Sequence, residues 1–391
     1  MKRAQSLLPL FALLAFLAPS AAADTTDLLS ASRLDPRDAL VLTAAPPPSD
    51  LLLSEWQFVA APTDEGRAIS EGGAPAPHHH HFAGGHAGSH APIGVMGDHL
   101  HDQGEWMLSY RFMKMKMDGL RNGDSRISAG DVLAAGFPVT PVDMATEMHM
   151  WGLMYAPSDE LTLMGMMSYV RKRMNHITGM GGAFKTNSEG IGDTRLTALV
   201  DWYHDDHHHV HLNLGLSVPS GSISRQDTTP AGFVRLPYPM QLGSGTWDLM
   251  PGITYNGHNG GLSWGAQAIG TIRLGENRYD YSLGDRFETS QWIARAWNEN
   301  LGTSLRLKTA IWGNVDGADP AQVPGLVPTA RTDMRGGLRS DVLLGLNAHV
   351  TDGPLKGHRF ALEFGVPIWQ KLEGLQLETD WTLTAGWQYA F

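Results

Sequence analysis

Two residue types that bind soft and borderline metal ions are concentrated in this sequence. The chain contains 18 histidines and 18 methionines, and both types occur in clusters. Neutral imidazole binds Cu(II), Ni(II) and Zn(II), whereas thioethers prefer Cu(I). The predicted metal-binding set consists of eight histidines in a segment rich in Pro and Gly and four around one short turn: His78, His79, His80, His81, His86, His90, His99 and His101, then His204, His207, His208 and His209.

The spacing of these histidines defines no single closed site, so the signal is one of composition. One interpretation is an adaptable chelator for a metal ion such as copper; the other is a solvated polar segment with incidental affinity. Neither interpretation requires an obligatory cofactor. The chain has no cysteine, which excludes disulfides and thiolate ligands, and its net charge of −11 argues against a nucleic-acid partner.

Many of the methionines fall where large apolar residues alternate with other types. In the stretch "EWMLSYRFMKMKMD", Trp106, Leu108, Tyr110 and Phe112 share one face, so the intervening methionines share the opposite face. That face is either an apolar lining for hydrophobic solutes or a thioether wall for a soft metal ion. The residues predicted to line a lumen are Met107, Met113, Met115, Met117, Met148, Met150, Met154, Met164 and Met166.

The alternation continues to the C-terminus and predicts an all-β fold, a twelve-stranded antiparallel transmembrane β-barrel with a disordered N-terminal segment. Most segments reach the roughly 9–11 residues that a tilted strand needs to cross a bilayer. Long and short connections alternate, as in up-and-down barrels with long outer loops and short periplasmic turns. The predicted strands are 105–118, 144–157, 160–173, 193–203, 208–219, 246–256, 261–274, 287–298, 301–312, 340–351, 357–366 and 378–391.

The chain closes on the alternating stretch "WTLTAGWQYAF", which ends in Phe391. We predict that this strand pairs with the first one, because a barrel in lipid cannot leave an unpaired edge. A terminal strand of this kind resembles the signal that the outer-membrane assembly machinery recognises. The predicted partners are therefore that machinery, outer-membrane lipid, and a small solute or metal ion.

The first residues predict export. Lys2 and Arg3 precede a short apolar run, and Ala21–Ala23 form a cleavage site, so residues 1–23 are interpreted as a signal peptide. Residues 24–104 lack any helix or strand period, and we predict a poorly ordered His/Pro/Gly-rich periplasmic segment. Residues 105–391 then form the barrel. The predicted location is the bacterial outer membrane, with the N-terminal segment in the periplasm.

Charged residues on the remaining strands are predicted to point into the lumen. Asp248, Arg273, Arg306 and Glu363 lie on faces opposite the apolar ones, where they would form ion pairs that fill part of a narrow barrel. No nucleophile and base share a face, and no glycine-rich loop precedes a helix. We therefore predict that the protein is not an enzyme.

Four stretches indicate a family: "SEGIGDTRL", "GLSVPSG", "LPYPMQLGSGTWDLMPGITY" and the terminal "GWQYAF". They resemble the transporter-like outer-membrane proteins grouped as "putative MetA-pathway of phenol degradation", over roughly residues 92–391. The resemblance implies a β-barrel that takes up aromatic or other small hydrophobic solutes, and it implies no particular functional residues.

The Met and His enrichment leads us to expect transport of copper or another soft metal ion. The alternatives are uptake of small hydrophobic compounds, and a membrane-anchored metal-binding protein without transport.

Overall fold

A computed structural model of the chain describes residues 90–391. The predicted signal peptide and the histidines from His78 to His86 lie outside these residues. Within them, no helix is long and apolar enough to cross a membrane.

The described residues form seventeen strands, one short α-helix and two single-turn 3-10 helices, at Tyr238–Met240 and Pro328–Ala330. The strands and the α-helix are β1 (Trp106–Gly123), β2 (Ser125–Ile127), α1 (Ala129–Ala134), β3 (Val139–Ser158), β4 (Leu161–Thr178), β5 (Ala183–Ile191), β6 (Thr194–His204), β7 (His208–Val218), β8 (Gln226–Thr229), β9 (Gly232–Arg235), β10 (Trp247–Asn259), β11 (Leu262–Leu274), β12 (Tyr281–Ser282), β13 (Arg286–Ala296), β14 (Leu301–Trp312), β15 (Asp316–Gly317), β16 (Gly337–His349) and β17 (His358–Ala390).

Eleven of these strands form a closed antiparallel ring in the order β1-β3-β4-β6-β7-β10-β11-β13-β14-β16-β17, and β17 pairs with β1. β2 and β5 pair with β1 and β4 outside the ring. β8 and β9 form a separate hairpin, and β12 pairs with β15 in a two-stranded sheet between two long loops. The closing ladder places Met107 opposite Ala390 and Tyr110 opposite Trp387. Closure leaves the ring without an unpaired edge, as the sequence predicts.

The predicted count of twelve separate strands is not confirmed, because the last two predicted strands belong to one assigned strand. β17 is 33 residues long; residues 359–372 pair with β16, and residues 372–390 pair with β1. Its ends lie together, since the rings of His358 and Tyr389 stack with centroids 4.4 Å apart. β17 therefore doubles back near Gly374, whose φ of +78° favours glycine. Residues 367–377, which the sequence predicts as a loop, are instead part of β17 and follow this bend.

The outward and lumen faces follow the predicted alternation. Trp106 and Trp151 are 39% and 46% exposed on the outer face, whereas Met107 and Met150 on the same strands are 3% and 5% exposed. The same contrast holds in β4, where Leu163 is exposed and Met164 is buried. The barrel is thus apolar outside, and its interior is filled by side chains and by a segment of the chain itself.

That segment consists of residues 90–104, which we call the plug. The sequence predicts a poorly ordered segment through residue 104, but the plug follows a defined path inside the ring beside the short turns. Its apolar residues are covered: Ala91, Ile93 and Val95 are at most 4% exposed. His99 and His101, predicted in a disordered tail, are also buried there. Burial inside a preformed barrel orders this segment, because the barrel satisfies its backbone polar groups.

The opposite end of the barrel is covered by the long loops. Leu236 and Met240 pack against Met144 and Met174 of the barrel wall. Three of the four stretches that indicate the family meet at Asp193, which belongs to "SEGIGDTRL". Its carboxylate accepts hydrogen bonds from the backbone N–H of Gly221, in "GLSVPSG", at 2.9 Å and of Ser244, in "LPYPMQLGSGTWDLMPGITY", at 2.7 Å. The motifs thus hold the long loops over the lumen.

Candidate functional site: the plugged lumen

The barrel wall holds the plug through the plug's backbone carbonyls. The Arg359 guanidinium donates to the carbonyl of Ala91 at 2.6 Å, and Arg111 Nε donates to that of Ile93 at 3.0 Å. Both arginines are buried. The plug has no strand partner that could satisfy these carbonyls, so lumen side chains take that role.

Further along the plug, amide and imidazole groups replace the arginines. His211 Nε2 and Asn213 Nδ2 both donate to the carbonyl of Gly97, at 2.9 and 3.0 Å. A carbonyl can only accept, so His211 carries its proton on Nε2. Gln267 donates to the carbonyl of Met96 at 2.9 Å, and Asn256 donates to that of Asp98 at 2.6 Å. All these bonds come from side chains, so the plug is fixed without joining the sheet.

A buried ion pair lies directly beneath the plug. Arg306 and Glu363, 3% and 1% exposed, form a two-point contact at 2.8 and 2.6 Å, which confirms the predicted inward charges. Arg273 and Asp248 form another ion pair at the long-loop end, where the Asp248 carboxylate also accepts a hydrogen bond from the Ser244 hydroxyl at 3.1 Å. Gly94 of the plug lies so close to the first pair that a Cβ there would overlap Glu363 Oε2 and Arg306 Nη2. A larger residue at this point of the plug would displace the ends of these two side chains.

We expect Gly94→Ala to weaken the hold of the barrel on the plug. The added methyl group would overpack a buried contact, which costs about 1–3 kcal/mol. Amide hydrogen exchange of residues 91–98 should therefore be faster than in the parent protein. Gly325→Ala is the matched control, since a Cβ at Gly325 meets no atom within 4 Å. Equal exchange in Gly94→Ala and the parent would contradict the tight contact.

Three potential metal ligands converge within the plug. One ligand atom each from His90, Asp98 and His99 all lie within 4.8 Å of one another. His99 Nδ1 is 3.1 Å from Asp98 Oδ1, and the His90 and His99 rings contact edge to face with centroids 4.8 Å apart. Burial, assisted by the positive charge of Arg359, holds the pKa of His90 well below its usual value. His90 is therefore neutral at pH 7 and has a lone pair to offer a cation.

The other predicted metal ligands are only partly brought together. The His101 ring lies 4.8 Å from that of His99, and its Nδ1 is 2.9 Å from Glu105 Oε2. His204 and His209, at the β6–β7 turn, both contact Asp201, at 2.6 and 3.0 Å.

The remaining two histidines of that turn point elsewhere. The ring of His207 stacks on His258 with centroids 5.8 Å apart, and His208 Nδ1 is 2.9 Å from the Tyr255 hydroxyl. The four histidines of the turn therefore do not form one site.

All nine predicted lumen methionines lie on the lumen side, but at different heights. Met107, Met150, Met154, Met164 and Met166 form one buried cluster with Leu199, against which Met113, Met148 and the plug residue Met96 pack. We call this cluster the Met wall. Met117 packs instead with the Met144 cluster near the long loops. Met115 lies between, with its sulfur 3.9 Å from Arg339 Nη1.

Sequence reasoning missed Asp98 as a potential ligand, and it missed the side chains that hold the plug. Asp98 directly precedes His99 in "GDHLH", and this carboxylate beside two histidines was an available signal. Arg111 and Arg359 were predictable as inward residues, but their partner is the plug backbone, which carries no sequence signature.

A closed antiparallel ring with an apolar outer face and a polar, filled interior defines an outer-membrane β-barrel. Residues 140–306 match the family described as "Putative MetA-pathway of phenol degradation". This match confirms the family resemblance that the sequence indicates for this part of the chain, and the structural similarity given next shows the barrel fold. No curated protein sequence matches the chain significantly.

Solved structures share the barrel. An outer-membrane channel from Pseudomonas putida F1 superimposes with a TM-score of 0.55 at 13% identity, covering 76% of this chain and 99% of that one. The KdgM porin gives a TM-score of 0.34 at 9% identity, covering 73% and 99% of the two chains. A Pseudomonas aeruginosa FadL homologue gives 0.34 at 10% identity, covering 73% and 89%. The first of these similarities shows the shared fold.

Proposed function

We propose that this protein is a channel of the bacterial outer membrane that carries a small solute through its lumen, with the plug as its gate. Apart from the N–H of Gly104 at its C-terminal end, which donates to the carbonyl of Ala156 at 2.8 Å, the plug is attached to the wall by packing and by hydrogen bonds that involve side chains. Residues 90–101 can therefore leave without disrupting the ring. The short turns and the plug lie on the periplasmic side in this proposal. Counting the two halves of β17 separately gives a twelve-stranded barrel with both ends on that side.

The proposed solute is a soft metal ion, copper in particular. The observation that carries this proposal is the contact between the plug and the Met wall. Met96 packs against the wall, and Asp98 and His99 follow it along the plug. Imidazole and carboxylate bind a borderline divalent ion, and thioethers bind a soft monovalent one. A metal ion that reaches the plug would therefore meet suitable ligands both there and along the wall.

A second candidate is uptake of small hydrophobic compounds. The Met wall is an apolar cluster that also contains Leu199, and the plug residue Leu100 packs against it. Thioether side chains adapt to irregular apolar solutes. The description of the matched family, phenol degradation, favours the same substrate class. The two candidates differ in what they require of the wall, since hydrophobic solutes need only its apolar surface whereas soft metal ions need the sulfur atoms.

Replacing Met113, Met115, Met148 and Met150 together with Leu distinguishes these substrates. Each Met→Leu change conserves volume and costs less than about 1.5 kcal/mol, so the barrel should fold. In the barrel lacking residues 90–101, these substitutions should lower silver(I) entry into liposomes, because leucine offers no sulfur ligand at the four positions. Entry of an aromatic carboxylic acid should change little. The outward-facing Met167, which is 45% exposed, provides the matched control Met167→Leu.

Unchanged silver entry in the fourfold variant would exclude a role for these four thioethers and favour the hydrophobic substrate. Absence of flux for any solute would favour a membrane-anchored metal-binding protein.

A further inference from the structure

We propose that a divalent transition-metal ion binds between His90, Asp98 and His99 and holds the plug in the lumen. The ion would regulate the gate whichever solute the channel carries. This inference rests on the proposed function in one respect only, namely that the plug is the gate.

Two of the potential ligand residues carry buried nitrogen atoms that lack hydrogen-bond partners within the described part of the chain. Asp98 and His99 are 4% and 5% exposed, and His90 is half-buried. Among residues 90–391, His90 Nδ1 and His99 Nε2 are buried without a hydrogen-bond partner. Buried polar atoms without partners are rare because each costs free energy. A metal ion bound by these nitrogens and the Asp98 carboxylate would satisfy them together.

The three ligands lie at the two ends of the loop of residues 90–99, His90 at one end and Asp98 and His99 at the other. An ion bound to all three therefore closes this loop at its base. One hydrogen bond already joins the same two ends, from the N–H of Ala91 to Asp98 Oδ2 at 3.2 Å. Between them, a turn is closed by the N–H of Val95, which donates to the carbonyl of Pro92 at 2.9 Å.

Closing the loop fixes the residues that contact the wall. Ile93 lies against Gly386, Gly94 lies on the Arg306–Glu363 pair, and Met96 packs on the Met wall. These contacts all come from the part of the plug enclosed between His90 and Asp98. An ion at the base of the loop reduces the conformations open to a released plug and so favours the seated one.

A small pocket borders His90 and is also lined by Ala91, Asn256, Trp264 and Trp292. Two imidazoles and one carboxylate leave one position of a four-coordinate ion for a water molecule. Nitrogen and oxygen ligands of this kind select zinc(II), copper(II) or nickel(II) over calcium or magnesium.

The test measures zinc(II) binding to the full chain in detergent micelles by calorimetry. To remove competing sites, the starting protein has Asn in place of His78, His79, His80, His81, His86, His204 and His207. We expect one ion per chain. Adding His99→Asn or Asp98→Asn should weaken binding at least about tenfold. Adding His176→Asn should not, because His176 is a buried histidine at the long-loop end, stacked on Phe184.

A second measurement tests the hold on the plug. Zinc(II) should slow amide hydrogen exchange of residues 91–98 in the starting protein and have no effect in His99→Asn.

Heat-dependent gel mobility verifies that each barrel is folded. Asp98→Asn keeps an oxygen for the N–H of Ala91, so it can replace any variant that misfolds. Equal zinc affinity in the starting protein and both variants would overturn the site. Binding that leaves exchange of residues 91–98 unchanged would overturn its effect on the plug. Neither measurement depends on solute flux, so a channel that fails to transport would be recognised separately.

Discussion

Deletion of residues 90–101 is expected to convert a barrel with a blocked lumen into an open pore, while the ring of strands stays closed. The deleted segment fills the short-turn end of the lumen and forms no strand pair with the ring, so the ladder that joins β1 to β17 stays intact. The side chains that bind the plug include Arg111, Arg359 and Asn213, which water can solvate once the plug is gone. Planar-bilayer recordings should change from no steady current in the full chain to continuous conductance.

A control deletion removes residues 24–77 and leaves the plug in place; its conductance should remain that of the full chain. The gating role would be contradicted if deletion of residues 90–101 left conductance unchanged while the barrel remained folded.

Glu363→Ala is expected to be the most destabilising single substitution among the lumen charges discussed. The change leaves Arg306 as an unpaired charge that is 3% exposed, and loss of one partner of a buried pair costs about 3–5 kcal/mol. The same carboxylate lies against Gly94, so the plug should loosen as well. Urea unfolding of the protein in lipid vesicles, followed by tryptophan fluorescence, measures the free energy of unfolding.

Two variants separate this cost from a general effect of losing charge. Glu189→Ala breaks the exposed pair with Arg171 and should cost at most about 1 kcal/mol. Replacing both partners, as Arg306→Met with Glu363→Leu, leaves no unpaired charge and should restore much of the stability. A similar loss in Glu189→Ala and Glu363→Ala would contradict the importance of burial.

The strands could be predicted from the sequence because their side chains alternate between two environments. β14 spans residues 301–312 both in the prediction and in the structure, and most other boundaries agree within a few residues. The same alternation placed Met107 and Met150 on the lumen face. It fails at β17, where residues near Gly374 stay in the sheet through a sharp bend and keep no regular two-residue period.

The plug could not be predicted, because what orders it is distant in the sequence. Gly97 is bound by His211 and Asn213, more than 100 residues away, and no local pattern records those hydrogen bonds. For the same reason, composition could indicate that His90 and His99 bind metal but not that a loop brings them together beside Asp98. The histidines of the β6–β7 turn show the opposite case, since neighbours in sequence such as His208 and His209 point to different partners.

Solute entry into liposomes containing the barrel without residues 90–101 tests the central claim most directly. Silver(I) and an aromatic carboxylic acid are supplied separately and in competition, and entry is compared with that into protein-free liposomes. We predict saturable silver entry that depends on Met113, Met115, Met148 and Met150. Entry of neither solute through a folded, unplugged barrel would contradict transport through this lumen.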